Sequence, residues 1–196
     1  MRTLLLVAVL TGGALVSVQS AELSPLERSR LLAHLEMTGS WLIDEVSSLS
    51  QEQLAFRPSS NAWSVMEVLE HLVVVGPIYW NDLQKALQGR PGKPLRASED
   101  ADTLWYGIDR TRRELAIPSE RPPGRLHDLK TALQTYRDQH ARLIDYVRTT
   151  KDDLRSYVVD RQQCDAYQWA LLISTHEQRH ILQIREIKAN PAFPKK

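Results

Sequence analysis

The sequence predicts an all-α protein: an antiparallel four-helix bundle with a long crossover between its second and third helices. Three observations carry this prediction. Four segments repeat apolar residues at helical spacing. A proline-rich stretch, residues 90–124, separates the second segment from the third. No segment shows the alternation of apolar and polar residues that a strand requires. Amphipathic helices without strands bury their stripes against one another, and four of them close a bundle.

The first helix starts at Ser24–Pro25–Leu26–Glu27, where Ser24 and Glu27 form a capping box and Pro25 suits the first turn. Its stripe is Leu31, Leu35, Leu42, Val46 and Leu49, and it is expected to end near Ser50. After the turn at Arg57–Asn61, Ser64 and Glu67 make a second capping box. The second helix then carries Val68, His71, Val75 and Ile78 inward. Pro77 lacks an N–H and crowds the carbonyl of Val73, so a kink is expected there, with the helix continuing to Leu87. Residues 90–124 contain Pro91, Pro94, Pro118, Pro122 and Pro123 and are expected to form a long connection with a short helix around Asp102–Leu115. The third helix, about Arg125–Thr149, has the stripe Leu129, Leu133, Tyr136, His140, Leu143 and Val147. The fourth, about Ala166–Lys188, turns Trp169, Ile173, His176, His180, Ile184 and Ile187 inward.

Residues 1–20 differ in kind from the rest. Met1–Arg2 is a short basic start, Leu4–Val16 is free of charge, and small residues precede Ala21. This pattern is expected of a secretory signal peptide cut near Ser20, leaving residues 21–196 as a single domain in the periplasm or outside the cell. The apolar run is shorter than the roughly 20 residues of a membrane span, so no membrane association is expected after cleavage.

Composition excludes several functions. The 25 Lys+Arg against 24 Asp+Glu give a net charge of +1, which does not build a broad nucleic-acid surface. One cysteine, Cys164, permits neither an internal disulfide nor a thiolate-rich zinc site. No glycine pattern matches a phosphate cradle.

The histidines carry the chemistry. His176 and His180 are four residues apart, so a helix places both imidazoles on one face, one turn apart. Their flanks, Trp169, Leu172, Ile173, Ile184 and Ile187, turn that face into the bundle. Buried imidazoles need partners. Carboxylates or carbonyls can serve, and so can a metal ion. His71 lies on the inner stripe of the second helix, which a bundle can bring against the fourth. Three imidazoles with open positions beside them form the ligand set of a catalytic metal site. His176–Glu177–Gln178–Arg179–His180 also matches H-E-x-x-H, the zinc-protease signature. That reading is the weaker one: Gln183 and Glu186 stand where one branch needs Gly and His, and only 16 residues follow His180 for a further ligand.

Two segments together resemble the DinB/YfiT-like metalloprotein superfamily: Arg57–Pro58 with Asn61–Ala62–Trp63–Ser64–Val65–Met66–Glu67–Val68–Leu69–Glu70–His71–Leu72, and Ser174–Thr175–His176–Glu177–Gln178–Arg179–His180–Ile181–Leu182–Gln183–Ile184. The resemblance covers essentially all of residues 21–196 in helix order. It implies an antiparallel four-helix bundle and a divalent metal held by His71, His176 and His180. It also implies either thiol-type group transfer or metal-dependent hydrolysis. The signal-like N-terminus departs from the thiol-transferase branch, which works with cytosolic thiols.

The expectation is therefore an exported metal-dependent hydrolase or group transferase acting on a small molecule. The alternative is a metal-binding or structural module without turnover. Imidazole ligands leave Zn²⁺, Ni²⁺, Fe²⁺ and Mn²⁺ open. Three more residues bear on the site. His140 is either a hydrogen-bonded core histidine or a neighbour of the pocket. Gln183 lies within about 20° of the His176 direction on the helix and can bond a ligand or pack in the core. Glu177 points about 100° away from His176 and either reaches the site from the side or joins a salt bridge. Asp82, the arginines 110, 112 and 113, and Cys164 are expected to be a solvated helix end, a solvated helix face and an inert thiol. Met37 and Trp41 lie off the first helix's stripe, where the alternatives are a homodimer contact and a monomer whose crossover covers them.

Overall fold

The computed structural model describes residues 22–95 and 98–195. The signal-like segment lies outside them. Helices α1 (Pro25–Val46), α3 (Val65–Leu87), α5 (Leu129–Thr149) and α6 (Ala166–Lys188) are the four long ones. Short helices α2 (Gln51–Ala55) and α4 (Asp100–Ile108), a 3-10 turn at Pro118–Glu120, and a two-residue pair β1 (Val158–Val159) with β2 (Cys164–Asp165) complete the described residues. Among these residues no helix is long and apolar enough to cross a membrane.

Local chemistry sets the boundaries. The Ser24/Glu27 and Ser64/Glu67 capping boxes both form. The first helix stops at Val46 rather than near Ser50, because Ser50 pairs with Gln53 in a capping box of its own and starts α2. Helix α4 ends at Ile108 rather than Leu115, because Asp109 bends the chain by accepting from the backbone and hydroxyl of Thr111 at 2.9 and 2.6 Å. Helix α5 starts at Leu129 rather than Arg125. Asp128 caps it, while the N–H groups of Gly124, Arg125 and Leu126 are taken by the buried Glu70 carboxylate. The β1–β2 pair had no sequence signal, since two residues are too few for alternation to show.

Helix α3 runs unbroken through Pro77. Its proline cannot donate to Val73, and the Gln139 side-chain amide from α5 donates to that carbonyl instead, at 3.2 Å. Gly76 makes room for it, since a Cβ there would stand 2.4 Å from Gln139 Oε1.

Helix directions follow from the contacts. Arg28 at the start of α1 donates to Thr150 O just past the end of α5, 3.0 Å away, so these two are antiparallel. Lys188 at the end of α6 donates to Glu45 O near the end of α1, and His34 meets Ser174 upstream, so these two run parallel. Trp169 Nε1 donates to Tyr79 O, and His71 meets His176, so α3 and α6 are antiparallel. Gln139 faces Val73, and Tyr146 packs on Trp80, so α3 and α5 run parallel. The bundle is thus up-down-down-up. Residues 88–128 carry the chain back along the bundle, which lets α5 repeat the direction of α3, and α4 lies outside against α6.

The core has two apolar halves. One holds Leu31, Leu35, Leu83, Val147 and Trp169; the other holds Leu42, Leu69, Leu133, Ile181 and Ile184. Between them lies a polar layer containing His71, Thr38, His140, Ser174, His176 and Glu177. Gly39 belongs to this layer. A Cβ there would stand 2.5 Å from His140 Cε1. Gly39→Ala should therefore lower stability by about 1–3 kcal/mol through overpacking, even though Ala is the better helix former by about 1 kcal/mol. Urea denaturation checks this, and an unchanged or higher midpoint would contradict the packing argument.

Candidate metal centre

Helix α3 presents His71 from its second turn, and α6 presents His176 and His180 from consecutive turns. Because α3 and α6 are antiparallel neighbours, the three rings meet. His71 Nε2 lies 3.3 Å from His176 Nε2, His180 Nε2 lies 3.1 Å from His176 Nε2, and all three atoms fall within 4.8 Å of one another. Three nitrogens bound to one ion at 2.0–2.1 Å stand roughly 2.9–3.4 Å apart, so the donors are close to coordination spacing.

The far sides of two rings decide what the near sides offer. His71 Nδ1 lies 2.6 Å from the Glu120 carbonyl, which only accepts, so that nitrogen carries the proton and Nε2 is bare. His180 Nδ1 lies 2.8 Å from Gln183 Oε1 and behaves in the same way. Two bare nitrogens then face His176 Nε2, which has at most one proton to give. A cation at the centre satisfies all three.

Burial keeps the rings neutral, which is the ligand form. It is the main force lowering His71. It also pushes His176 down to about 3, helped by His71 and Arg179. His180 is held well below its ordinary value by burial, then by His176 and His71. Trp63 covers the cluster, its ring 5.1 Å from His71 and stacked on His180 at 6.4 Å. Tyr79 lies 5.4 Å from His176, ring to ring.

The other expected residues divide. Gln183 is at the site, as the partner of His180. His140 and Glu177 are not brought to the three histidines. Glu177 is buried and faces α1 and α5, accepting from Thr38 Oγ1 at 2.9 Å and lying 3.4 Å from His140 Nε2. It is thus neither a surface salt bridge nor the base of an H-E-x-x-H zinc protease. Together with Tyr136, Gln139 and His140 it lines a separate small cavity of about 40 Å³. Glu177→Gln should therefore leave metal stoichiometry and affinity unchanged while costing about 1–3 kcal/mol of stability through a weakened buried contact. Calorimetric titration paired with denaturation separates these effects, and lost metal binding at intact stability would refute the assignment.

Asp82 is not a solvated helix end but accepts from Arg161 at 2.5 Å. Arg110 is bound bidentately to Glu186 at 3.0 and 2.8 Å, and it follows α4 rather than riding on it. Cys164 is buried, its thiol pushed up to about 12 chiefly by burial, and is inert. The sequence reading missed Glu120, whose carbonyl is the partner of His71 Nδ1. Glu120 acts through a main-chain oxygen, for which side-chain patterns carry no signal.

The sequence model of the DinB superfamily matches residues 27–184, from the first turn of α1 to near the end of α6. The chain belongs to the DinB superfamily. A Bacillus subtilis relative is the uncharacterised protein YuaE. It is 29% identical over 154 residues, covering 74% of this chain and 89% of that protein. Among solved structures, YfiT from Bacillus subtilis matches with a TM-score of 0.61 and 15% identity, over 88% of this chain and 91% of that one. YfiT is described as "a probable metal-dependent hydrolase with an unusual four-helix bundle topology". At that identity the likeness shows the fold, and this DinB-superfamily chain shares the four-helix bundle.

Proposed function

We propose that the protein binds one divalent metal ion through His71, His176 and His180 and uses it for hydrolysis of a small molecule, with thiol-type group transfer as the neighbouring chemistry. One observation carries this reading: three neutral imidazoles aim Nε2 at a common point, two of them with their protons fixed on Nδ1. The description of YfiT supports hydrolysis. A divalent ion there supplies Lewis acidity, which acidifies a water or thiol. The chain's own residues do the rest. Glu120 O and Gln183 Oε1 orient the ligand rings, and Trp63 shields one side from bulk water. Tyr79, whose phenol burial pushes up, stays protonated, and its ring packs beside His176.

Elemental analysis of purified protein should find one equivalent of Zn²⁺, Ni²⁺, Fe²⁺ or Mn²⁺. Chelation should abolish hydrolysis of amide or ester test substrates, and readdition of the ion should restore it. A protein that takes up no ion would end the proposal. A second reading, metal binding without turnover, is favoured by Glu177, the carboxylate next to His176 in sequence, being committed to Thr38 and His140. Stoichiometric metal with no activity across those substrates would select it. We also propose export, supported by the charge-free run Leu4–Val16. Mass spectrometry of protein from its native host should find a start near Ala21, and an intact Met1 in the cytosol would refute this.

A further inference from the structure

We propose that Arg161 is a positioning residue for the histidine cluster: by clamping Glu120 to α3, it holds the carbonyl that orients His71. The inference rests on the metal-site reading above and assigns a role to the hairpin that an all-α bundle would not otherwise need.

Glu120 offers two groups. Its carbonyl accepts from His71 Nδ1 at 2.6 Å, and its carboxylate accepts from Arg161 Nη1 at 2.9 Å. The same guanidinium donates through Nε to Asp82 at 2.5 Å. His71 and Asp82 both ride on α3, about three turns apart. The contacts therefore close a ring from His71 to Glu120, to Arg161, to Asp82 and back along the helix. A planar fork can serve two carboxylates in fixed directions, which an ammonium cannot.

Glu120 depends on this tether. It ends a three-residue 3-10 turn in a connection broken by Pro118, Pro122 and Pro123, with no long element of its own to fix the carbonyl. The anchor of Arg161 is firmer. It sits in the turn between β1 and β2, whose Val158↔Asp165 and Val159↔Cys164 pairs hold a hairpin against α3 with Val159 and Cys164 buried. Gln163 takes a φ of 52°, the left-handed conformation that reverses the chain there. The Glu120 side chain is only 10% exposed, against 30% for Arg161 and 27% for Asp82, so its end of the clamp is the least screened by solvent.

The test uses the full-length chain, Co²⁺ as probe, chelator competition for affinity and the visible Co²⁺ absorption as a reporter of ligand geometry. Arg161→Met should weaken Co²⁺ binding up to about 10-fold, the lower end of the range for losing the direct partner of a metal-binding histidine, since the Glu120 carbonyl itself remains, and should shift the absorption bands. Arg161→Lys keeps the charge without the fork and should recover only part of the affinity. Arg155→Met is the control. It removes a guanidinium bonded to Glu27, Asp100 and Asp165, away from the histidines, and should lower the melting temperature without changing affinity or spectrum. If Arg161→Met binds Co²⁺ as tightly as the unmodified protein, with the same spectrum, the clamp is refuted while the metal site stands. If affinity falls equally in the Arg161 and Arg155 variants, the effect is general destabilisation and the clamp is again refuted. If the unmodified protein takes up no Co²⁺, the metal-site reading fails and carries the clamp with it.

Discussion

His180→Ala is expected to abolish stoichiometric metal binding while leaving the helices in place. His176 and His180 stand one helical turn apart on the same face, so they act as a pair, and His71 completes the set from another helix. Removing His180 leaves two imidazoles, and the affinity should drop by more than the about 10- to 100-fold that an outer-partner change causes. Helical content should persist, because Ile181, Ile184 and the rest of the apolar stripe hold α6 in the bundle. Metal analysis after dialysis against a chelator, together with circular dichroism, checks both halves. A variant that retains a full equivalent of metal would show that the ion sits elsewhere.

Glu70→Ala is expected to cause the largest loss of stability among single polar substitutions away from the histidines. Glu70 is 1% exposed, and its carboxylate accepts from three successive backbone N–H groups, those of Gly124, Arg125 and Leu126, at 2.9, 2.6 and 2.9 Å. It thereby fastens the end of the long connection just before α5. Ala strands these donors, and although water can reach some of them, the loss should be about 2–4 kcal/mol, since bonds to a charged acceptor are the stronger kind. Glu70→Gln keeps an acceptor oxygen and should lose roughly half of that. Guanidinium denaturation of both variants checks the order. A Glu70→Ala midpoint equal to that of the unmodified protein would refute the fastening role.

What could be read from the sequence was local. Ser24 with Glu27 and Ser64 with Glu67 announce their helix starts because a capping box spans four residues. His176 and His180 announce a shared face because helix geometry fixes it. The angular offset of Glu177 on the helix was legible too, but its destination was not, because Thr38 and His140 come from other helices. His71 required the neighbour relation of α3 and α6, which the family resemblance implied and periodicity left open. The illegible features are long-range or belong to the main chain. Glu70 lies inside the recognised segment, yet nothing local says that its carboxylate serves residues 124–126. Glu120 contributes a carbonyl, and Arg161 works across a hairpin too short to register. The parallel run of α3 and α5 was hidden for a similar reason: a long connection allows either direction, and only the packed neighbours choose.

The up-down-down-up order has a consequence for how the protein folds. In an up-down-up-down bundle, helices adjacent in sequence zip together as hairpins closed by short loops. Here the principal partners of α1 are α5 and α6, and α3 joins α5 only across residues 88–128. Each main contact must close a long loop before burial rewards it, as the 105-residue separation of His71 and His176 illustrates. Folding should thus be slower than for a hairpin-built bundle of equal length. The histidine cluster, which needs both α3 and α6 in place, should be among the last features to form.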